Sequence, residues 1–120
     1  MKSDDNFIHT KTFDYAVRIV ELARQLQEQN REYVLSQQIL KSGTSIGANV
    51  RESRNAQSRP DFISKLNIAL KEADETGYWL DLLYATRYME KENYESYRNE
   101  NKFIIAILTK IIKSAKDGEA

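Results

Sequence analysis

Residues Lys41-Ser42-Gly43-Thr44-Ser45-Ile46-Gly47-Ala48-Asn49-Val50-Arg51-Glu52 decide how the chain folds. Counted at about 100° per residue, Leu35, Ile39, Ile46 and Val50 fall in one narrow sector. Gly43 and Gly47 sit side by side on its flank, and Lys41, Thr44, Ala48 and Arg51 lie opposite. The period is helical. Each glycine costs a helix interior roughly 1 kcal/mol against alanine, and the usual offset is a neighbouring helix packed close where no side chain stands. Gly43 and Gly47 are therefore read as a helix-packing notch. Asn49 and Glu52, three apart at the edge of the apolar face, are read as polar groups that cap or bridge neighbouring helices, with a ligand contact as the alternative.

Working outward, this second helix is expected over about 33–57, because Pro60 pushes the residue before it away from helical geometry. Before it, Phe13, Ala16, Val17, Val20, Ala23 and Leu26 recur at helical spacing with Thr12 as a candidate N-cap, predicting a first helix over about 12–28. Asn30 is the candidate for a left-handed cap after it. Residues 1–9 are polar, hold the only histidine, His9, and show no period, so a loose tail is expected there.

Ser58 and Asp61 resemble a capping box and open a third helix over about 60–88. One broad stripe runs through Phe62, Leu66, Ala69, Leu70, Ala73, Gly77, Leu80, Leu83 and Tyr84. A second sector carries Ile68, Trp79 and Leu82 beside Glu72 and Glu75. That helix asks for cover on two sides, and Ile68, Glu72, Trp79 and Leu82 are the candidate oligomer interface. Tyr94, Tyr97, Ile104, Ile105, Leu108, Ile111 and Ile112 mark a fourth helix over about 92–115, followed by a fraying end at 116–120 with Gly118 as a late stop. Four helical patterns with three short links give one all-α domain, an antiparallel up-down-up-down four-helix bundle over residues 1–120.

Composition narrows the function. Eighteen basic and eighteen acidic side chains cancel, so any contact with nucleic acid has to come from a local patch. The absence of cysteine excludes disulfides, thiolate metal sites and cysteine nucleophiles, and it fits the reducing cytoplasm. The longest unbroken apolar run, Phe103 to Leu108, is far short of the roughly 20 residues of a membrane span, and the polar N-terminus does not read as a signal peptide.

Reactive chemistry is not found. The glycine stretch lacks the spacing and the preceding strand of a phosphate loop. Glu72 and Glu75 have no histidine near them, so a metal pair of the kind some bundles hold is not expected. Lys41 and Ser42 point about 100° apart on a helix and make no catalytic dyad. Neither a catalytic set nor a cofactor motif remains, and no enzyme is expected. Lys41, Arg51, Arg54, Arg59, Lys65 and Lys71 cluster in sequence around the second link. Glu52, Asp61 and Glu72 dilute them, which favours an ordinary solvated face, and the other reading is a surface for RNA or DNA phosphates, for which Lys41, Arg51, Arg54 and Arg59 are the candidates.

The runs Tyr33 to Gln38, Lys41 to Glu52 and Asp61 to Thr76 resemble the bacterial four-helix-bundle proteins encoded in intervening sequences of 23S rRNA genes, a family also labelled ribosomal. The likeness extends from Phe13 to Lys113. It implies a non-enzymatic bundle associated with RNA or DNA. A relative of the same fold, the accessory variability protein of diversity-generating retroelements, is a pentamer that binds nucleic acid and a reverse transcriptase, which implies a homopentamer here. The other reading is a scaffold whose partner is another protein.

Overall fold

The computed structural model describes residues 2–118, with side chains described from residue 6 onward. Four helices follow one another: α1 (Lys2–Asn30), α2 (Val34–Ser53), α3 (Arg59–Ala85) and α4 (Lys91–Lys116). Each packs on the next, and α4 returns to α1, so the four form a closed antiparallel bundle of 46 × 23 × 19 Å. No strand occurs among the described residues.

The first helix departs from its expected face and start. Its buried residues are Ile8, Tyr15, Ile19, Leu22, Ala23 and Leu26, whereas Phe13 and Val17 are 57% and 44% exposed. Two apolar stripes interleave on α1, and the buried one is set by α2: an ideal Cβ on Gly43 would lie 2.7 Å from Ile19 Cγ2. Ile8 extends that stripe into the segment expected to be a loose tail and carries the helix with it. Thr12, expected as an N-cap, is buried inside α1 and donates to Ile8 O at 2.8 Å. Of the expected loose ends, residues 1, 119 and 120 lie outside the described residues.

The links show how each helix stops. Arg31, one residue past the expected Asn30, takes the left-handed conformation at φ 52°. The second helix is shorter than expected. After Ser53 the backbone bonds tighten to three-residue steps, Arg54 N to Arg51 O and Asn55 N to Glu52 O, so 54–57 form a turn. Ser58 caps α3 by accepting from Asp61 N at 3.1 Å, while Asp61 reaches back to accept from Gln57 N at 3.1 Å. Arg87 at φ 72° closes α3, with Tyr88 N bonded to Leu83 O, a left-handed cap built on a non-glycine residue.

Small residues let α3 lie between two neighbours. Ala69 and Ala73 are fully buried, and Thr76 Oγ1 sits 3.0 Å from Ser42 Oγ on α2. On the other flank a Cβ at Gly77 would lie 2.6 Å from Arg98 Nη1, so the glycine makes room for an α4 guanidinium. Arg98 is held there by Asp81 and by Asn101, whose amide donates to Ala73 O at 2.8 Å.

The α1 and α4 helices come together mainly through long side chains. Tyr15 donates to Tyr97 O and Tyr97 to Arg18 O, both at 2.9 Å, and Lys11 and Arg18 both reach Glu100. Among the described residues every buried side-chain nitrogen and oxygen has a hydrogen-bond partner. The interior is fully satisfied, so sites for other molecules have to be sought on its faces and at its ends.

Candidate nucleic-acid interface

Antiparallel packing brings the start of α1, the end of α2, the start of α3 and the end of α4 to the same end of the bundle. A cleft of about 540 Å³ opens there. Its apolar floor is Ile8, Phe62, Leu66 and Ile111, and Arg54, Arg59 and His9 stand on its rim. The floor residues come from α1, α3 and α4, and Ser53, Arg54, Ala56 and Ser58 line the cleft from the end of α2 and the link to α3.

Among the described residues the rim carries two arginines. Arg54 Nε donates to His9 Nε2 at 3.1 Å, which requires an unprotonated imidazole nitrogen. Burial, then the charges of Arg54 and Arg51, push the His9 pKa below its ordinary value. Among the described residues none of Arg51, Arg54 and Arg59 takes part in an ion pair, whereas Lys65 is paired with Glu52 at 3.4 Å. Arg59 also reaches the end of α4: its Nη1 lies 3.4 Å from where a Cβ on Gly118 would be, next to the terminal carbonyls, where positive charge is favoured.

The four basic residues singled out in the sequence therefore separate. Arg51, Arg54 and Arg59 share one end of the bundle. Lys41 lies on the α2 face toward α3, where its charge acts on Glu72. His9 was missed as a member of the cluster because only the packing of Ile8 draws its turn into the helix.

The packing residues separate similarly. Gly43 faces Ile19, while a Cβ on Gly47 would lie 3.3 Å from Thr12 O, so both glycines look toward α1. Among the described residues the amide of Asn49 donates within its own helix, to Ser45 O at 2.8 Å. Glu52 does cross, through Lys65 of α3.

The proposed oligomer face lies on the outer side of α3, with Glu72 and Glu75 between Ile68 and Trp79. Ile68 is 38% exposed, and Trp79 and Leu82 are half-buried, as is Glu72. Trp79 Nε1 donates to Glu75 Oε2 at 3.0 Å, and Tyr78, 58% exposed, meets the Trp79 ring edge to face. Tyr78 belongs to this strip although sequence periodicity did not select it. Phe13 and Val17 form a second exposed apolar strip on α1.

A family model described as 23S rRNA-intervening sequence protein matches residues 4–110. The chain belongs to this family. A solved structure described as a protein of unknown function from the S23 ribosomal protein family of Bacteroides thetaiotaomicron is similar to it. That protein is 55% identical with a TM-score of 0.91, and the alignment covers 92% of this chain and 98% of that one. No curated protein matches. The intervening-sequence protein match takes in His9, all three clustered arginines and every lining residue of the cleft except Ile111, which lies one residue past its end.

No helix among the described residues is long and apolar enough to cross a membrane. The described residues also contain no group of three or more His, Cys, Asp or Glu side chains placed to hold a metal ion. Ser42, beside Lys41 in sequence, is buried and hydrogen-bonded within the α2 and α3 packing.

Proposed function

We propose that this intervening-sequence family protein is a non-enzymatic helical bundle that associates with RNA or DNA through the end carrying Arg51, Arg54 and Arg59. The observation that carries the reading is the gathering of three guanidinium groups that form no ion pair among the described residues, together with His9, at one end of a chain whose total charge is zero. A local positive potential suits phosphates, and arginine holds them by paired donors. The test is fluorescence anisotropy with structured RNA at about 50 and 200 mM salt, where phosphate-led binding falls steeply. Replacing Arg51, Arg54 and Arg59 together by alanine is expected to weaken binding across sequences and to flatten the salt slope by about one unit per lost phosphate contact. Binding unchanged in the triple variant rejects this surface.

A second reading, self-association or docking of another protein, is favoured by the exposed strip of Ile68, Tyr78, Trp79 and Leu82 on α3. The two readings use different faces and are compatible. A ring of five is the assembly suggested by the resemblance to the accessory variability protein. Mass measurement in solution tests it.

A further inference from the structure

We propose that the cleft at the arginine end is a binding site for one nucleoside monophosphate unit, taken either as a free nucleotide or as the 5′-phosphorylated end of a strand. The proposal rests on the reading of this end as a nucleic-acid surface and names what the cleft itself takes. A flat basic patch would hold any run of phosphates, but here the charges stand over an apolar hollow of about 540 Å³, within the size range of small-ligand pockets. The hollow is open from the surface and floored by Phe62, Ile8 and Leu66, a surface on which a planar base can lie.

The polar groups are placed for an anion with a heterocycle. Arg54 has one nitrogen committed to His9, which fixes the guanidinium at the rim and leaves its terminal amino groups for a phosphate. Arg59 lines the same cleft from α3 and supplies a second fork. Asp61, the acidic residue of the first turn of α3, has an oxygen committed to Gln57 N. Asn6 also lines the cleft, with an amide that can both donate to and accept from a base edge. A fatty carboxylate would satisfy the charges equally but would leave the polar lining residues Asn6, Ser53 and Ser58 unused.

The experiment is a nitrogen-15 NMR titration of the full chain with AMP, adenosine, inorganic phosphate and octanoate, with RNA anisotropy run in parallel. AMP is expected to give saturable shifts at residues 54–62, and adenosine or phosphate alone to bind at least about tenfold more weakly, as expected when charge-assisted bonds or base contacts are removed. Ala56→Trp fills the cleft without changing charge and is expected to abolish AMP shifts while binding of RNA that carries no 5′-phosphate stays within about twofold. Arg59→Glu, at an exposed position, is expected to weaken both by about tenfold or more, and its melting curve checks the fold. Displacement of AMP by a 5′-phosphorylated oligonucleotide but not by the same oligonucleotide with a 5′-hydroxyl assigns the strand end as occupant, and equal behaviour of the two assigns the free nucleotide. RNA binding without saturable AMP shifts overturns the cleft proposal and leaves the surface reading standing. AMP binding without RNA binding does the reverse. Octanoate bound more tightly than AMP overturns the nucleotide assignment.

Discussion

Arg54 Nε lies 3.1 Å from His9 Nε2, so the end of α2 is tied to α1 by a hydrogen bond that exists only while the imidazole nitrogen is unprotonated. The contact gives the pH dependence a direction. Burial, Arg54 and Arg51 hold the His9 pKa below its ordinary value, so the unfolded chain binds this proton more readily than the folded one. The contribution is complete above about pH 6.5 and is lost as pH falls from there through the folded value. His9→Gln is expected to flatten that part of the stability profile, measured by urea denaturation between about pH 7.5 and 5. Identical slopes in parent and variant would show that the contact does not form in solution.

Gly43 and Gly47 offer a paired test of helix contact. A methyl at Gly43 meets Ile19 Cγ2 at 2.7 Å and must displace a β-branched side chain, whereas one at Gly47 meets Thr12 O at 3.3 Å. Overpacking of the first kind costs about 1 to 3 kcal/mol, against a helix-propensity gain of roughly 1 kcal/mol for glycine to alanine. Gly43→Ala is therefore expected to be neutral to destabilising, and more harmful than Gly47→Ala. Combining Gly43→Ala with Ile19→Val should recover part of any loss. The midpoints of chemical denaturation decide the order, and a more stable Gly43→Ala than Gly47→Ala would contradict the packing.

These residues also show how far a sequence can be read. The glycine spacing in 43–47 and the Ser58, Pro60, Asp61 start of α3 are local signals, and local chemistry sets them. The buried face of α1 is not local. Phe13, Val17 and Val20 make as good an apolar stripe as Ile8, Tyr15, Ile19 and Leu22, and only the hollow at Gly43 selects the second. The same choice decides where α1 begins and whether His9 joins the arginines. Lys41 and Arg51 lie in one sequence block yet serve different faces, because ten residues of helix separate them along the axis by about 15 Å.

Glu72 is expected to be a destabilising charge at neutral pH. Burial, and then Glu75, raise its pKa above the ordinary 4.5, while Lys41 and Lys71 pull the other way. A raised carboxyl pKa means stability that is present below the unfolded value and is lost as pH rises through the folded one. Glu72→Gln should raise the melting midpoint at pH 7, with the difference shrinking toward pH 4. A variant less stable than the parent at pH 7 would mean that the attraction to Lys41 outweighs burial and Glu75.

The outer strip of α3 supplies the last test, of self-association. One side of α3 is fully used inside the bundle, where Leu66, Ala69, Ala73, Leu80 and Leu83 are buried. Ile68 and Tyr78 stay exposed on the other side, with Trp79 and Leu82 half-covered between them. Trp79 also packs against the protein's own core, so the apolar surface left for a partner is that of Ile68 and Tyr78 with the outer edges of Trp79 and Leu82. The strip on α3 differs from the Phe13 and Val17 strip on α1, so one copy can offer α3 to the α1 side of the next, the head-to-tail arrangement that closes rings. Trp79→Glu places a charge in the middle of the strip at a half-buried position, and Phe13→Glu does the same on the other face. Light-scattering mass at tens of micromolar is expected to exceed 14.0 kDa several-fold for the parent and to fall toward that value for either variant, with helical circular dichroism retained. A parent that already measures 14.0 kDa rejects the ring. Loss of assembly with Trp79→Glu but not with Phe13→Glu assigns a symmetric α3-to-α3 contact, which ends at a dimer.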